Sequence, residues 1–425
     1  MLKLTAADGR PKLYDLKIAA GKRLIRSSAS LKLARSVLRR RKAPKPYKGV
    51  ELDFILDLAE RLYADRSTPV IWSNVFVPCE LIWGLGLVPF YPEIAAAIGA
   101  QLGLSSLGVE QAAGLSYPVE LCTFHRSAAG LRAAGLYPRA GMHVATSNLC
   151  DVAGQVLANF ARNDGRPFTL LDVPQNDDEQ AVAYVTAQLR ELVDSMAAAL
   201  GVTFEPERMR QAISLSNQAR SLALQAGALR EAHPAPLRGS AMLDQLGMLT
   251  SMFGHPAGVA YYRALRDYIR ERIREGEPEQ ANQRTRIYWM HLGPYFPAAL
   301  FPHLEDDLGV VIAFEETSTL WWEELDEGQP FRSLARKMLA MVLNGPVERR
   351  LDLTLRNIAR FDCEGVIHFS HWGCRQSTGA LQVIRHRLRR EGVPFLDLDG
   401  DCVDPTNLQW GPLRTRVEAF METLH

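Results

Sequence analysis

The chain has 425 residues, 47% of them hydrophobic, with 49 Lys and Arg against 48 Asp and Glu for a net charge of +1. That length exceeds what one hydrophobic core serves, so two or more domains are expected. No apolar run approaches the roughly 20 residues that span a bilayer, which excludes a transmembrane helix, and without a recognised base-reading module no nucleic-acid partner is expected.

Charge is uneven along the chain. Residues 1–48 carry 15 Lys and Arg against only Asp8 and Asp15, and the stretch from Lys32 to Lys42 has helical apolar spacing that stops at Pro44 and Pro46. It reads as a basic helical extension, either packed on its own domain or holding an acidic or nucleotide-bearing partner. No continuous apolar stretch follows the first basic residues, so no secretory signal is expected. The chain reads as cytoplasmic, where thiols stay reduced.

An α/β pattern starts at about residue 49, with a helix near 51–65 and then Thr68-Pro-Val-Ile-Trp-Ser-Asn leading to Cys79. Strands near 143–148 and 168–173 alternate with helices at about 151–162 and 177–200, as in a doubly wound parallel sheet. Residues 205–280 show only long helical periodicities. A second α/β unit follows, with strands near 286–291, 310–316, 365–371 and 395–400 and helices at about 331–343, 377–391 and 412–424. The expected fold is α/β: two Rossmann-like doubly wound domains at 49–204 and 281–425, a helical extension at 1–48 and a helical bridge at 205–280.

The six cysteines fall in two threes, Cys79, Cys122 and Cys150, then Cys363, Cys374 and Cys402. No pair is spaced C-x-x-C, so any shared site has to be assembled by folding. Cys79, Cys150, Cys374 and Cys402 each follow an apolar β-rich run that ends in polar or glycine residues, the pattern of a buried parallel strand opening into a loop. Open α/β sheets bind ligands outside the carboxyl ends of their strands, and soft thiolates gathered there suit an iron-sulfur centre. For any single cysteine the alternative is a small hydrophobe in the core. All six are candidate metal and cofactor ligands, and each sheet is expected to present three across a cleft. Gly373 would let the backbone approach closely beside Cys374. Asp151 and Val152 put Cys150 at a helix start, where amide dipoles favour thiolate charge.

His125 and Arg126 after Cys122, Arg375 after Cys374, His371 before it, and Glu80 after Cys79 are the candidate catalytic groups. They would neutralise an anionic centre or carry protons, and each also has a structural reading as an ion-pair, strand or first-turn residue. His368 and His371 are expected to face one side of their strand. Neither a P-loop nor a G-x-G-x-x-G fingerprint occurs, so any ATP chemistry falls to a partner.

In combination, several motifs resemble the 2-hydroxyacyl-CoA dehydratase and benzoyl-CoA reductase family, which includes the double-cubane cluster proteins. They are Val77-Pro-Cys-Glu-Leu-Ile, Cys122-Thr-Phe-His-Arg-Ser, Ser147-Asn-Leu-Cys-Asp, Leu171-Asp-Val-Pro, His368-Phe-Ser-His-Trp-Gly-Cys-Arg-Gln, Leu398-Asp-Gly-Asp-Cys and Gly411-Pro-Leu-Arg-Thr-Arg-Val-Glu-Ala-Phe. The match runs from about residue 50 to the end, and Gly411-Pro departs from the Gly-Gln of the pattern. The resemblance implies two Rossmann-like domains with a cubane between them, reduced at low potential by a separate ATP-hydrolysing iron-sulfur activator. In the dehydratase branch three cysteines hold one [4Fe-4S] cluster, and Cys122, Cys150 and Cys374 match them. The double-cubane branch uses six cysteines to hold an [8Fe-9S]-type cluster, and this chain has six in suitable places. The leading expectation is a homodimeric double-cubane reductase of a small substrate. The alternative is an acyl-CoA dehydratase or reductase subunit with one [4Fe-4S] cluster, paired with a different subunit of the family.

Overall fold

The computed structural model describes residues 19, 22, 23, 25–40, 43, 45–65 and 67–424. Runs of β-branched and aromatic residues form two sheets. The first contains β1 (Val70–Ser73), β2 (Val88–Phe90), β3 (Met142–Thr146) and β4 (Phe168–Leu171) in the order β2-β1-β3-β4. The second contains β5 (Thr285–Met290), β6 (Val310–Glu315), β7 (Gly365–His371) and β8 (Phe395–Gly400) in the order β6-β5-β7-β8. All pairings are parallel. Covered on both faces, β1, β3, β5, β6 and β7 are buried at every position, which is why they read as continuous apolar runs.

The two sheets share one strand order, so each has a topological switch, between β1 and β3 and again between β5 and β7. The crevice outside such a switch is where loops diverge and ligands fit. Strand β2 was not announced by the sequence. Its middle residue, Pro89, cannot donate to a ladder and is tolerated only at an edge, and β2 is an edge.

Residues 205–280 form the helices Pro206–Leu229, Gln245–Ser251 and Pro256–Glu275, which pack on the helices Pro46–Ala59 and Cys79–Gly84. In the basic extension the helix Ser28–Arg40 lies on the segment that continues Pro46–Ala59. Ser28 Oγ donates to Glu60 at 2.5 Å, and Arg35 is 3.6 Å from Asp57. Residues 1–18, 20, 21, 24, 41, 42 and 44 of that extension lie outside the described residues. No described helix is long and apolar enough to cross a membrane.

One apolar cluster runs through both halves. Trp72 and Phe160 from the first side and Trp289, Phe369 and Val417 from the second belong to it, so the two halves share one core. Strand parity corrects one expectation here. Ile367 and Phe369 face this cluster while Val366 faces the opposite one. His371 is an even number of residues from Phe369 and His368 an odd number, so the two histidines lie on opposite faces.

Candidate functional site

Three thiols begin three helices. Cys122 is the N-cap of the helix Thr123–Ala133, Cys150 of Asp151–Asp164 and Cys374 of the short turn Arg375–Thr378. The first amides of a helix have no intrahelical acceptor and favour negative charge beside them, and those of Phe124 and His125, of Val152 and Ala153, and of Gln376 and Ser377 act to lower the Cys122, Cys150 and Cys374 thiols respectively. Burial outweighs that help. It pushes the Cys122 thiol well above its usual range, with repulsion from Cys374 and Cys150 added, and lifts Cys150 to about 12. Three thiolates here would therefore need a cationic partner to stay ionised.

All three line one cavity of about 190 Å³, walled by Phe76, Ile94, Leu292 and Met341. Cys150 and Cys374 follow β3 and β7, the switch strands, as their strand-end spacing implied; Cys122 comes from the loop ahead of its helix. Gly373 makes the convergence possible, since at φ +72° any Cβ in its place would collide with the backbone of Glu120 and Cys122.

A histidine faces each thiol. His371 Nε2 is 3.3 Å from Cys122 Sγ, His125 Nε2 is 3.4 Å from Cys150 Sγ, and His291 Nε2 is 3.9 Å from Cys374 Sγ. Burial lowers His125 and His371 to about 4, which favours the neutral ring of each. His291 was missed from the sequence. It follows β5 with φ +68°, its N–H held at 2.9 Å by Glu316, whose carboxylate is gripped by Arg350 at 2.6 and 2.7 Å. A left-handed non-glycine residue pinned by a buried ion pair is the kind of strain found at functional sites.

The remaining candidates lie elsewhere. Cys363 precedes β7 and so lies at the amino edge of the second sheet, packed on the outer cluster beside Arg286. Cys79 is carried round the first turn of its helix to face the Phe253 carbonyl at 3.1 Å. Cys402 is fully buried near Cys122 and Cys374 but does not line the cavity. The three-plus-three presentation of thiols is thereby corrected. Glu80 does not line the thiol cavity; burial favours its neutral form, but Lys337 at 2.6 Å and Ser216 at 2.7 Å hold it ionised. Arg126 turns away and donates to the Val119 carbonyl at 3.1 Å. Arg375 is 84% exposed and paired at 2.7 Å with Asp151, the residue after Cys150.

That pair stands where the thiol cavity meets a wider cleft of about 700 Å³, because Asp151 and Arg375 line both. A second residue missed from the sequence is Glu93, in the first turn of the helix Pro92–Gln101 after β2. It lines the thiol cavity, its Oε2 is sealed from solvent with no hydrogen-bond partner, and burial lifts it from 4.5 to about 7. A carboxyl that titrates near neutrality inside a cavity is equipped for proton transfer.

The donor set fits an iron-sulfur cluster: three soft sulfurs, each at the amino end of a helix or helical turn, in an apolar-walled cavity. Among the described residues, no three His, Cys, Asp or Glu side chains are placed to hold a single metal ion.

By fold and site this is a two-sheet parallel α/β protein with a thiol cavity at its switch points. The chain belongs to the family described as 2-hydroxyglutaryl-CoA dehydratase, D-component, whose sequence profile matches residues 74–424. It is 20% identical to the (R)-phenyllactyl-CoA dehydratase alpha subunit of Clostridium sporogenes, over 85% of this chain and 90% of that one. It is 23% identical to a benzoyl-CoA reductase subunit of Thauera aromatica over 85% and 91%, and 22% identical to the putative dehydratase subunit YjiM of Escherichia coli over 87% and 94%. These relatives are named as subunits of dehydratases and of a reductase.

Proposed function

We propose that the chain is the cluster-bearing subunit of a 2-hydroxyacyl-CoA dehydratase or a related acyl-CoA reductase. In this reading Cys122, Cys150 and Cys374 hold one [4Fe-4S] cluster, and electrons come from an ATP-hydrolysing iron-sulfur activator in the cytoplasm. The observation that carries it is the convergence of those three helix-capping thiols on one cavity while Cys79 and Cys363 face other surroundings. The double cubane has less support, because it would draw on Cys363 from the opposite edge of β7.

Such a cluster supplies single electrons at low potential. The chain's own groups do the rest. Glu93 holds a proton that it can give up or take back near neutral pH to a group bound in the cavity. The apolar walls exclude water from that group. The outer cleft, about 700 Å³, has room for the carrier portion of a thioester of the kind named for the relatives. Electron supply is assigned to a partner because the chain has no phosphate-binding glycine motif. Pairing with a second family subunit belongs to the same reading.

Iron and sulfide analysis of anaerobically purified protein tests it. About four irons per chain are expected, lost in Cys122→Ala, Cys150→Ala and Cys374→Ala and kept in Cys79→Ala and Cys363→Ala. About eight irons, lost on replacing Cys363, would restore the double cubane instead.

A further inference from the structure

We infer that His371 sets the reduction potential of the centre by donating an Nε2–H hydrogen bond to the Cys122 sulfur, in a tautomer locked by the Cys402 backbone. The inference rests on the three-thiolate reading above and adds a positioning residue to it.

The lock follows from hydrogen-bond bookkeeping. The Cys402 N–H can only donate, and it reaches His371 Nδ1 at 3.0 Å. Nδ1 therefore presents its lone pair, and the ring's one proton sits on Nε2, which faces Cys122 Sγ at 3.3 Å. The ring is 1% exposed and stands edge-on to Phe124, with centroids 5.0 Å apart, so it has little freedom to turn.

The anchor is equally fixed. Asp401 accepts the N–H groups of Val403 and Asp404 at 2.8 and 3.0 Å and the Asn407 amide at 3.0 Å, which ties down the turn carrying Cys402. The same carboxylate accepts the Thr123 hydroxyl at 2.6 Å, and Thr123 is the residue after Cys122. One buried carboxylate thus holds both the mount of the donor and the neighbour of the acceptor.

The other two histidines are not equivalent. His291 Nδ1 is 3.2 Å from the Phe369 carbonyl, which can only accept, so its proton is on Nδ1 and a bare Nε2 faces Cys374. Among the described residues, no second hydrogen bond fixes the tautomer of His125. Of the three, His371 alone is a locked donor. An N–H bond to a ligand sulfur stabilises the more electron-rich state, so this corner favours the reduced centre.

The test uses the full chain, purified anaerobically with its iron. His371→Phe keeps a ring against Phe124 but removes the donor, while His371→Gln keeps an N–H. In a spectroscopic redox titration His371→Phe should hold normal iron and shift to a more negative potential, with the reduced-to-oxidised ratio falling about tenfold, or 59 mV for one electron. His371→Gln should lie nearer the wild type. ¹⁵N spectra of histidine-labelled protein, with the His371 signal assigned by its loss in His371→Gln, should show the Nε2–H form; this readout holds even if His371→Phe folds poorly. A loaded His371→Phe protein with wild-type potential, or an Nδ1–H signal, overturns the inference. A wild-type chain that takes up no iron and sulfide refutes the cluster reading instead.

Discussion

Replacing Gly373 with alanine strikes the point where the two halves touch. A Cβ there would lie 2.8 Å from Cys122 N, 2.8 Å from Glu120 O and 2.9 Å from Cys122 Cα, at a φ of +72°. The left-handed backbone costs an alanine about 1–2 kcal/mol. The overlaps are with main-chain atoms that cannot rotate aside, and overpacking of that kind costs about 1–3 kcal/mol. The sum, about 2–5 kcal/mol, is best relieved by parting the loops that carry Cys122 and Cys374. Gly373→Ala should therefore lose most of its iron and sulfide after anaerobic reconstitution while keeping its far-ultraviolet circular dichroism. Gly411→Ala is the control, since nothing lies within 4 Å of a Cβ at that position. Full iron loading in Gly373→Ala would refute the reasoning.

Glu93→Gln should retain iron but lose turnover, and its pH dependence of stability carries a sign. The folded-state pKa of Glu93 is raised from 4.5 to about 7, so its contribution is intact below 4.5 and lost as pH rises through 7, by about 3 kcal/mol in all. The glutamine variant should unfold later than wild type above pH 7 in thermal melts and show no advantage at pH 4; equal melting at both would refute this. Lys337→Met strands the buried Glu80 carboxylate and should cost about 3–5 kcal/mol in denaturant titration, most of it recovered in Glu80→Gln/Lys337→Met. Asp151→Ala breaks a pair exposed at 84% and 69%, so stability should change by less than about 1 kcal/mol. If that pair guards the cavity, thiol labelling of cluster-free protein should accelerate in the variant, and an unchanged rate would dismiss the role.

The sequence showed most of the scaffold because parallel strands buried on both faces leave long β-branched runs. Strand β2 escaped because Pro89 is admissible only at an edge, and edges are a tertiary fact. Cys150 and Cys374 were legible as strand-end thiols. Cys363 was misplaced although it precedes its strand, and a count by two along β7 would have separated His368 from His371. Glu93 was hidden for a different reason: Tyr91-Pro92-Glu93 reads as an ordinary helix start, and the absence of a partner for its oxygen exists only once the chain has folded.

Cys122 and Cys150 come from the first sheet's loops and Cys374 from the second's, and the span from Cys150 to Cys374 exceeds half the chain. A centre bonded to all three is a cross-link closing that loop, and such closure removes more freedom from the unfolded chain the longer the loop it shuts. Oxidative loss of the centre should then loosen the whole seam between the halves, so that a protease cutting near the outer cleft reads out whether a molecule is loaded or empty.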